Sequence, residues 1–423
     1  MDRILNKSRI IKKTALLMLS LLLMNCDEEE ETDTSNKFTV TEALIDTGLP
    51  VVLIETVTQK RIFSKEEYVD ASMTIKYKGD TLHHNAIQIR GRGNATWFNY
   101  PKKPFKIKLY EKADLLGMGA EKDWVALANY GDKTLMRTAF ALKLSERMNF
   151  PWTPKYRFVE VFFNGEYIGN YNLTEHIEQG KNRINVPSRG YIIERDDYYR
   201  EEPVWFESAV RRYGWSFKNP DTDDITEQEV EYIRKYIDDF ETALASSSFS
   251  DPDKGFKQYI DMYSFARWFV FQQILANIDT NFYLLKDDTG DNSKLTMGPV
   301  WDFEWTTGIG WYEGARPRPA DYWVLNGGGF YFDRMLQDAD FKALVKSVWA
   351  EYKSTATEML DYFEVLRQEL YESQKLNFQR WDILDQRIHV GGIPLGSFDK
   401  EVDCDIQFFK NHITWLETAF NEL

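Results

Sequence analysis

Cysteine is scarce. The 423-residue chain has two, Cys26 and Cys404, which excludes a disulfide framework and any zinc site built on paired CxxC spacings. Histidine is nearly as rare, with five in all. Only His83 and His84 adjoin, and neighbours in a strand point to opposite faces, so a His-based metal site is not expected. Positive charge is in deficit: the formal net charge is -15 at pH 7. That argues against nucleic acid as a partner, because phosphate contacts need clustered Lys and Arg. A nucleotide needs only a local basic cluster and stays compatible. No internal repeat is visible. What the chain has in plenty is aromatic surface, with 13 Trp and 23 Tyr, enough for a large core and suited also to a carbohydrate-facing surface.

The N-terminus reads as a targeting segment. Lys7, Arg9, Lys12 and Lys13 precede the apolar run Ala15–Met24, which is too short to span a bilayer and has the length of a signal-peptide core. Leu23-Met24-Asn25-Cys26 resembles a bacterial lipobox. Residues 1–25 are therefore expected to be a signal peptide and Cys26 the lipidated residue. Asp27 to Glu31 begin an acidic tether, 26–37, similar to the surface-export signal of Bacteroidetes lipoproteins. The expected location is the outer-membrane surface of a Gram-negative bacterium, held through the lipid anchor.

The first half of the mature chain is strand-rich. Leu49–Val57 is an apolar β-prone run, and Ala71–Lys78 and Asn85–Arg90 alternate. A basic turn, Arg90-Gly91-Arg92-Gly93-Asn94, leads into the alternating strand Phe105–Tyr110. There Phe105, Ile107 and Leu109 share one face, and Lys106 and Lys108 the other. A Gly-rich basic turn before a lysine-bearing strand is able to cradle phosphates. Leu135–Met148 is an amphipathic helix. Asn164-Gly165 between two β-prone runs is a strong hairpin signal, and Thr226 with Glu229 makes a capping box. Beyond, the pattern is mostly helical.

Between the halves lies residues 262–310. Met262–Leu275 is apolar almost all round and reads as a buried helix with Asp261 as its N-cap. It breaks at Asn277-Ile278-Asp279-Thr280-Asn281. Two strands, Phe282–Leu285 and Leu295–Val300, then deliver Asp302 and Glu304 among Trp301, Phe303 and Trp305. Carboxylates among aromatics call for a partner or a cation. A buried helix, a loop Asp with an Asn, a hairpin and a second Asp is also the order in which a protein kinase assembles its phosphoryl-transfer site.

Taken together, RGRGNATWFNYPKKPFKIKL, WVALANYGDKTLMRTAFALKL, VEVFFNGEYIGNYNLTEHIE, RGYIIERD, ANIDTNFYLLKD and GPVWDFEW resemble the CotH kinase family of atypical kinases. The resemblance implies an α+β, divergent two-lobed protein-kinase-like fold. Its strand-rich N-terminal part would be 38–175 and its helical C-terminal part 176–423. It implies ATP with Mg²⁺ or Mn²⁺ as cofactors. Carried over, Asp279 is the catalytic acid and Asp302 the metal-binding acid, with Asn281 and Glu304 as further metal ligands. Lys106 is the phosphate lysine, with Lys103 and Lys108 as rivals, and Arg92 assists. Glu175 contacts nucleotide or braces a hinge. Two departures stand out: Asn281 follows Asp279 by two residues rather than five, and Glu304 replaces a second Asp.

The expected function is transfer of the ATP γ-phosphoryl group to a hydroxyl of a protein or other extracytoplasmic acceptor. Two alternatives remain open on the sequence. One is a non-catalytic glycan-binding or structural surface protein on a kinase-like shell. The other is a glycoside hydrolase using Asp279 and Glu304 as its carboxylate pair, in which the Lys-rich strand has no role.

Overall fold

The structure is a computed structural model that describes residues 40–42, 45–279, 281–287, 293–309, 319–324, 331–388 and 393–423. Cys26, its tether and the signal segment lie outside the described residues. Thr39–Leu423 form one compact unit. Among the described residues no helix is long and apolar enough to cross a membrane.

The chain first lays down β1 (Val51–Thr56), β2 (Val69–Tyr77), β3 (Asp80–Gly91), a short helix α1 (Ala95–Asn99), β4 (Phe105–Asp114) and β5 (Ala120–Leu127). Helix α2 (Arg137–Arg147) follows, then the hairpin β6 (Tyr156–Phe163) and β7 (Glu166–Glu175), turned at Asn164-Gly165. The strands close into a barrel in the order β1-β2-β3-β4-β5-β7-β6. Alternation builds its core, since every second side chain points inward. Ile54, Met73, Ile89, Ile107, Trp124 and Leu173 meet inside, while Lys106 and Lys108 stay on the outer face of β4.

The expected two-lobed protein-kinase-like fold is overturned by this closure. A strand-rich first half is present, but β1 pairs in parallel with β6, from Val51 opposite Glu160 to Ile54 opposite Phe163, and shuts the sheet on itself. A closed barrel has no free edge and fills its own interior. It is therefore a self-contained body, not an open lobe facing a second one across a cleft.

The second half builds another sheet, ordered β12-β11-β8-β10-β9, from β8 (Tyr191–Arg195), β9 (Trp205–Glu207), β10 (Gly214–Asn219), β11 (Phe282–Lys286) and β12 (Thr296–Met297). Against it lie α3 (Glu227–Ala245), α4 (Met262–Leu275) and α5 (Tyr331–Met335), and α6 (Ala339–Arg380) and α7 (Phe398–Glu422) pack in turn on α4. The capping box at Thr226 and Glu229 opens α3. The Asp261 side chain accepts from the Ser264 amide and opens α4. Helix α6 runs unbroken for 42 residues, and its last turns dock on β7. Asn377 Oδ1 accepts from the Asn170 amide (3.2 Å), Ser373 Oγ accepts from Asn170 Nδ2 (2.8 Å), and Arg380 and Trp381 donate to the Tyr167 and Ile168 carbonyls.

Candidate active site

Helix α4 is buried from Ser264 to Leu275, so its C-terminal end is held firmly. Ala276 ends it in the left-handed conformation, φ 49°, and turns the chain toward the second sheet. Two nested Asx turns then shape the Asp279 loop: the Asp279 amide donates to Asn277 Oδ1 (3.1 Å), and the Asn281 amide to Asp279 Oδ1 (3.0 Å). Asn281 Oδ1 accepts from Arg195 at 3.4 Å. After the β11–β12 hairpin the chain returns to Asp302, which sits at φ 66°, a conformation Asp tolerates better than most residues. The two acid-bearing loops are tied to each other. Thr307 N donates to the Leu275 carbonyl (2.9 Å) and Ile278 N to the Trp305 carbonyl (3.4 Å).

Asp302 is exposed along the surface, and protein surrounds its carboxyl on the other sides. Its carboxyl is held well above the usual carboxylate range. Lost hydration is the main cause, followed by the negative charges of Asp279 and Glu304, with Glu194 adding to them and Arg92 opposing. Glu304 is pushed up to about 7 by burial and by Asp132, against Lys102, Arg92 and Arg137. Asp279, Asp302 and Glu304 are thus brought together, with Glu194 of β8 as a fourth acid. Arg92 is the cation common to Asp302 and Glu304. Its guanidinium stacks 5.5 Å from the Trp301 ring centre, and Gly91 beside it leaves room that a side chain would lose to Trp97.

The basic residues fall into two groups. Lys106 pairs with Asp123 at 3.2 Å and, with Arg92, bears on His176, whose imidazole is held well below its ordinary value by burial and by these cations. Lys106 and Arg92 thus both lie near His176. Lys108 is exposed further along β4. Lys103 turns away, donating to the Trp97 carbonyl at 2.5 Å. Glu175 is fully buried in an ion pair with Arg183 (2.5 Å) and accepts from the Lys155 amide (2.8 Å).

Two residues of the site were missed by the sequence reading. Glu194 accepts from Tyr283 (2.6 Å) and pairs with Lys218 (3.0 Å). It stands within RGYIIERD, but nothing in that strand pattern separates it from a surface acid. Lys102 is buried and lies close enough to Glu304 to affect its charge, and its place between Pro101 and Pro104 gives no periodic signal. Among the described residues no three of His, Cys, Asp or Glu gather closely enough to form a metal cage. Mg²⁺ is ordinarily held by one or two carboxylates completed by water and substrate phosphates.

A closed barrel joined to a helix-packed sheet, with Asp279, Asp302 and Glu304 near the Arg92 turn, defines an α+β protein with a cluster of mixed charge where the two parts meet. The family of CotH kinase proteins matches residues 87–416, and the chain belongs to that family. Its coarse functional class is accordingly kinase-like. No curated protein matches the chain.

Proposed function

We propose that this protein is a phosphotransferase that moves the ATP γ-phosphoryl group to a hydroxyl, using Mg²⁺ or Mn²⁺. One observation carries the reading: the Asp279 and Asp302 loops are stitched together by backbone hydrogen bonds, and Asp279 and Glu304 lie near enough to Asp302 for their charges to add to burial in raising its carboxyl. A hard divalent cation fits that donor set, because carboxylate oxygens are its preferred ligands and its charge relieves the repulsion. Asp302 would hold it, with Asn281 and Glu304 as supporting oxygen donors. When bound, the cation neutralises the phosphate oxygens on which charge accumulates during transfer. Arg92 and Lys106, with Lys108 further out on the same strand, hold the phosphates electrostatically. Asp279 orients the acceptor hydroxyl and accepts its proton. Such catalysis consists of positioning and charge stabilisation, which rigid cross-tied loops supply. The lipid anchor at Cys26 would present the site to a protein or glycan acceptor outside the cytoplasm.

The test compares two isosteric variants by nucleotide-induced thermal stabilisation and by transfer of label from ATP. ATP and metal at a hundred times the dissociation constant stabilise wild type by about 2.7 kcal/mol. Asp302→Asn is expected to lose that stabilisation, since an amide is a poor ligand for a hard dication. Asp279→Asn is expected to keep it and lose transfer. A wild type that neither shifts nor transfers label with either metal refutes the proposal and favours the non-catalytic glycan-binding alternative.

A further inference from the structure

Behind the acid loops lies a second set of side chains that no substrate can reach. Arg137, in the first turn of α2, is 1 % exposed, Thr307 3 % and Asp405 of α7 1 %. Arg137 Nε donates to Thr307 Oγ1 (3.0 Å) and to the Thr306 carbonyl (3.3 Å). One Nη of the same guanidinium bonds Asp132 and the other bonds Asp405. The Thr307 hydroxyl in turn donates to Asp405 Oδ2 at 3.4 Å. Three elements distant in sequence thus meet at one threonine.

That threonine holds an unusual backbone, φ 48°, which a β-branched residue adopts only when its surroundings enforce it. The conformation has a use. It aims the Thr307 amide at the Leu275 carbonyl, 2.9 Å away at the end of α4, two residues short of the Asn277 turn that leads to Asp279. Two residues back, the Trp305 carbonyl receives the Ile278 amide. The side-chain clamp therefore grips the Asp302 loop at the point where that loop is stitched to the Asp279 loop.

We propose that Arg137, Thr307 and Asp405 are positioning residues that set the separation of Asp279 and Asp302 for a divalent cation. The inference rests on the phosphotransferase reading. It gives the C-terminal helix α7 a part in the site through Asp405. Groups that orient metal ligands from behind ordinarily change metal affinity about 10- to 100-fold when removed.

Thr307→Val removes the hydroxyl while keeping a β-branched side chain of the same shape. Arg137 keeps the Thr306 carbonyl and both acids, so the fold is retained. Thr307→Ser keeps the hydroxyl. Two measurements are made well below the unfolding temperature: Mn²⁺ affinity by titration in the presence of a saturating non-hydrolysable ATP analogue, and amide hydrogen exchange on metal-free protein. The Val variant is expected to bind Mn²⁺ about 10- to 100-fold more weakly and to exchange faster at residues 278 and 307, with barrel amides unchanged. The Ser variant is expected to match wild type in both. A Val variant that keeps wild-type Mn²⁺ affinity overturns the clamp, as does one whose faster exchange spreads evenly into the barrel, which marks general stability only. Wild type that binds no Mn²⁺ is a different failure: it removes the phosphotransferase reading itself, and the clamp with it.

Discussion

Lys102 offers a measurement that does not depend on any ligand. Its ammonium is 1 % exposed, donates to the Asn170 carbonyl (2.5 Å) and Asn377 Oδ1 (2.8 Å), and lies 4.7 Å from the Tyr171 ring centre. Burial lowers it from 10.5 to about 7, against the pull of Glu160 and Glu304. In the unfolded chain the same lysine keeps its proton up to about pH 10.4. Between about pH 7 and pH 10 the unfolded state therefore holds a proton that the folded state has released, and stability must rise with pH. The slope from one such group is about 1.4 kcal/mol per pH unit, and the whole window is worth on the order of 5 kcal/mol. Below pH 7 both states are protonated and the contribution is flat. Lys102→Met keeps the length of the side chain and removes the titration. Loss of its two hydrogen bonds costs about 1–3 kcal/mol at every pH, so the constant offset is uninformative and the slope decides. Urea denaturation of both proteins at pH 6.5, 8 and 9.5 gives the difference in unfolding free energy. It should grow by about 2 kcal/mol in favour of wild type from pH 8 to 9.5. A difference that stays constant over that interval refutes a depressed lysine at this position.

Arg183 and Glu175 form a fully buried pair, so Arg183→Met should destabilise the fold by about 3–5 kcal/mol, read by denaturant titration. The double variant Arg183→Met/Glu175→Met should recover much of that loss; no recovery would mean that packing, not the stranded carboxylate, carries the cost. At the N-terminus, Cys26→Ser should move the protein from the membrane fraction to the soluble one, because a lipid anchor contributes about 0.8 kcal/mol per buried methylene. A variant that stays membrane-bound in high salt rules out lipidation as the tether.

Local chemistry was readable from the chain. Alternation placed Phe105, Ile107 and Leu109 inside and Lys106 and Lys108 outside, as the burial of β4 has them. The Asn164-Gly165 turn, the Thr226 capping box and the Asp261 cap all occur where their short-range signals lie. Barrel closure was not readable. It depends on parallel pairing of Val51–Ile54 with Glu160–Phe163, about a hundred residues apart, and two apolar runs carry no mark of which partner each will choose. For the same reason the kinase-like order of motifs did not translate into a kinase-like fold: order along a chain constrains a site more than the scaffold beneath it. The acids Asp279, Asp302 and Glu304 stood out because charge among aromatics is anomalous. Glu194 and Lys102 did not, since one follows an ordinary strand pattern and the other sits in a proline-flanked turn.

The docking of α6 on β7 bears on how the molecule comes apart. Asn170, Asn377 and Ser373 are buried at that junction, and they hydrogen-bond one another across it. Parting the barrel from the helical half while each stayed folded would strand these groups against apolar neighbours, at about 1–3 kcal/mol apiece, before any contact area is counted. The unfolding of the barrel is thereby coupled to that of the helical half. A lesion in the barrel wall then lowers the stability of the distant acid loops by the same amount as its own surroundings, and damage far from those acids is felt there as loss of folded protein.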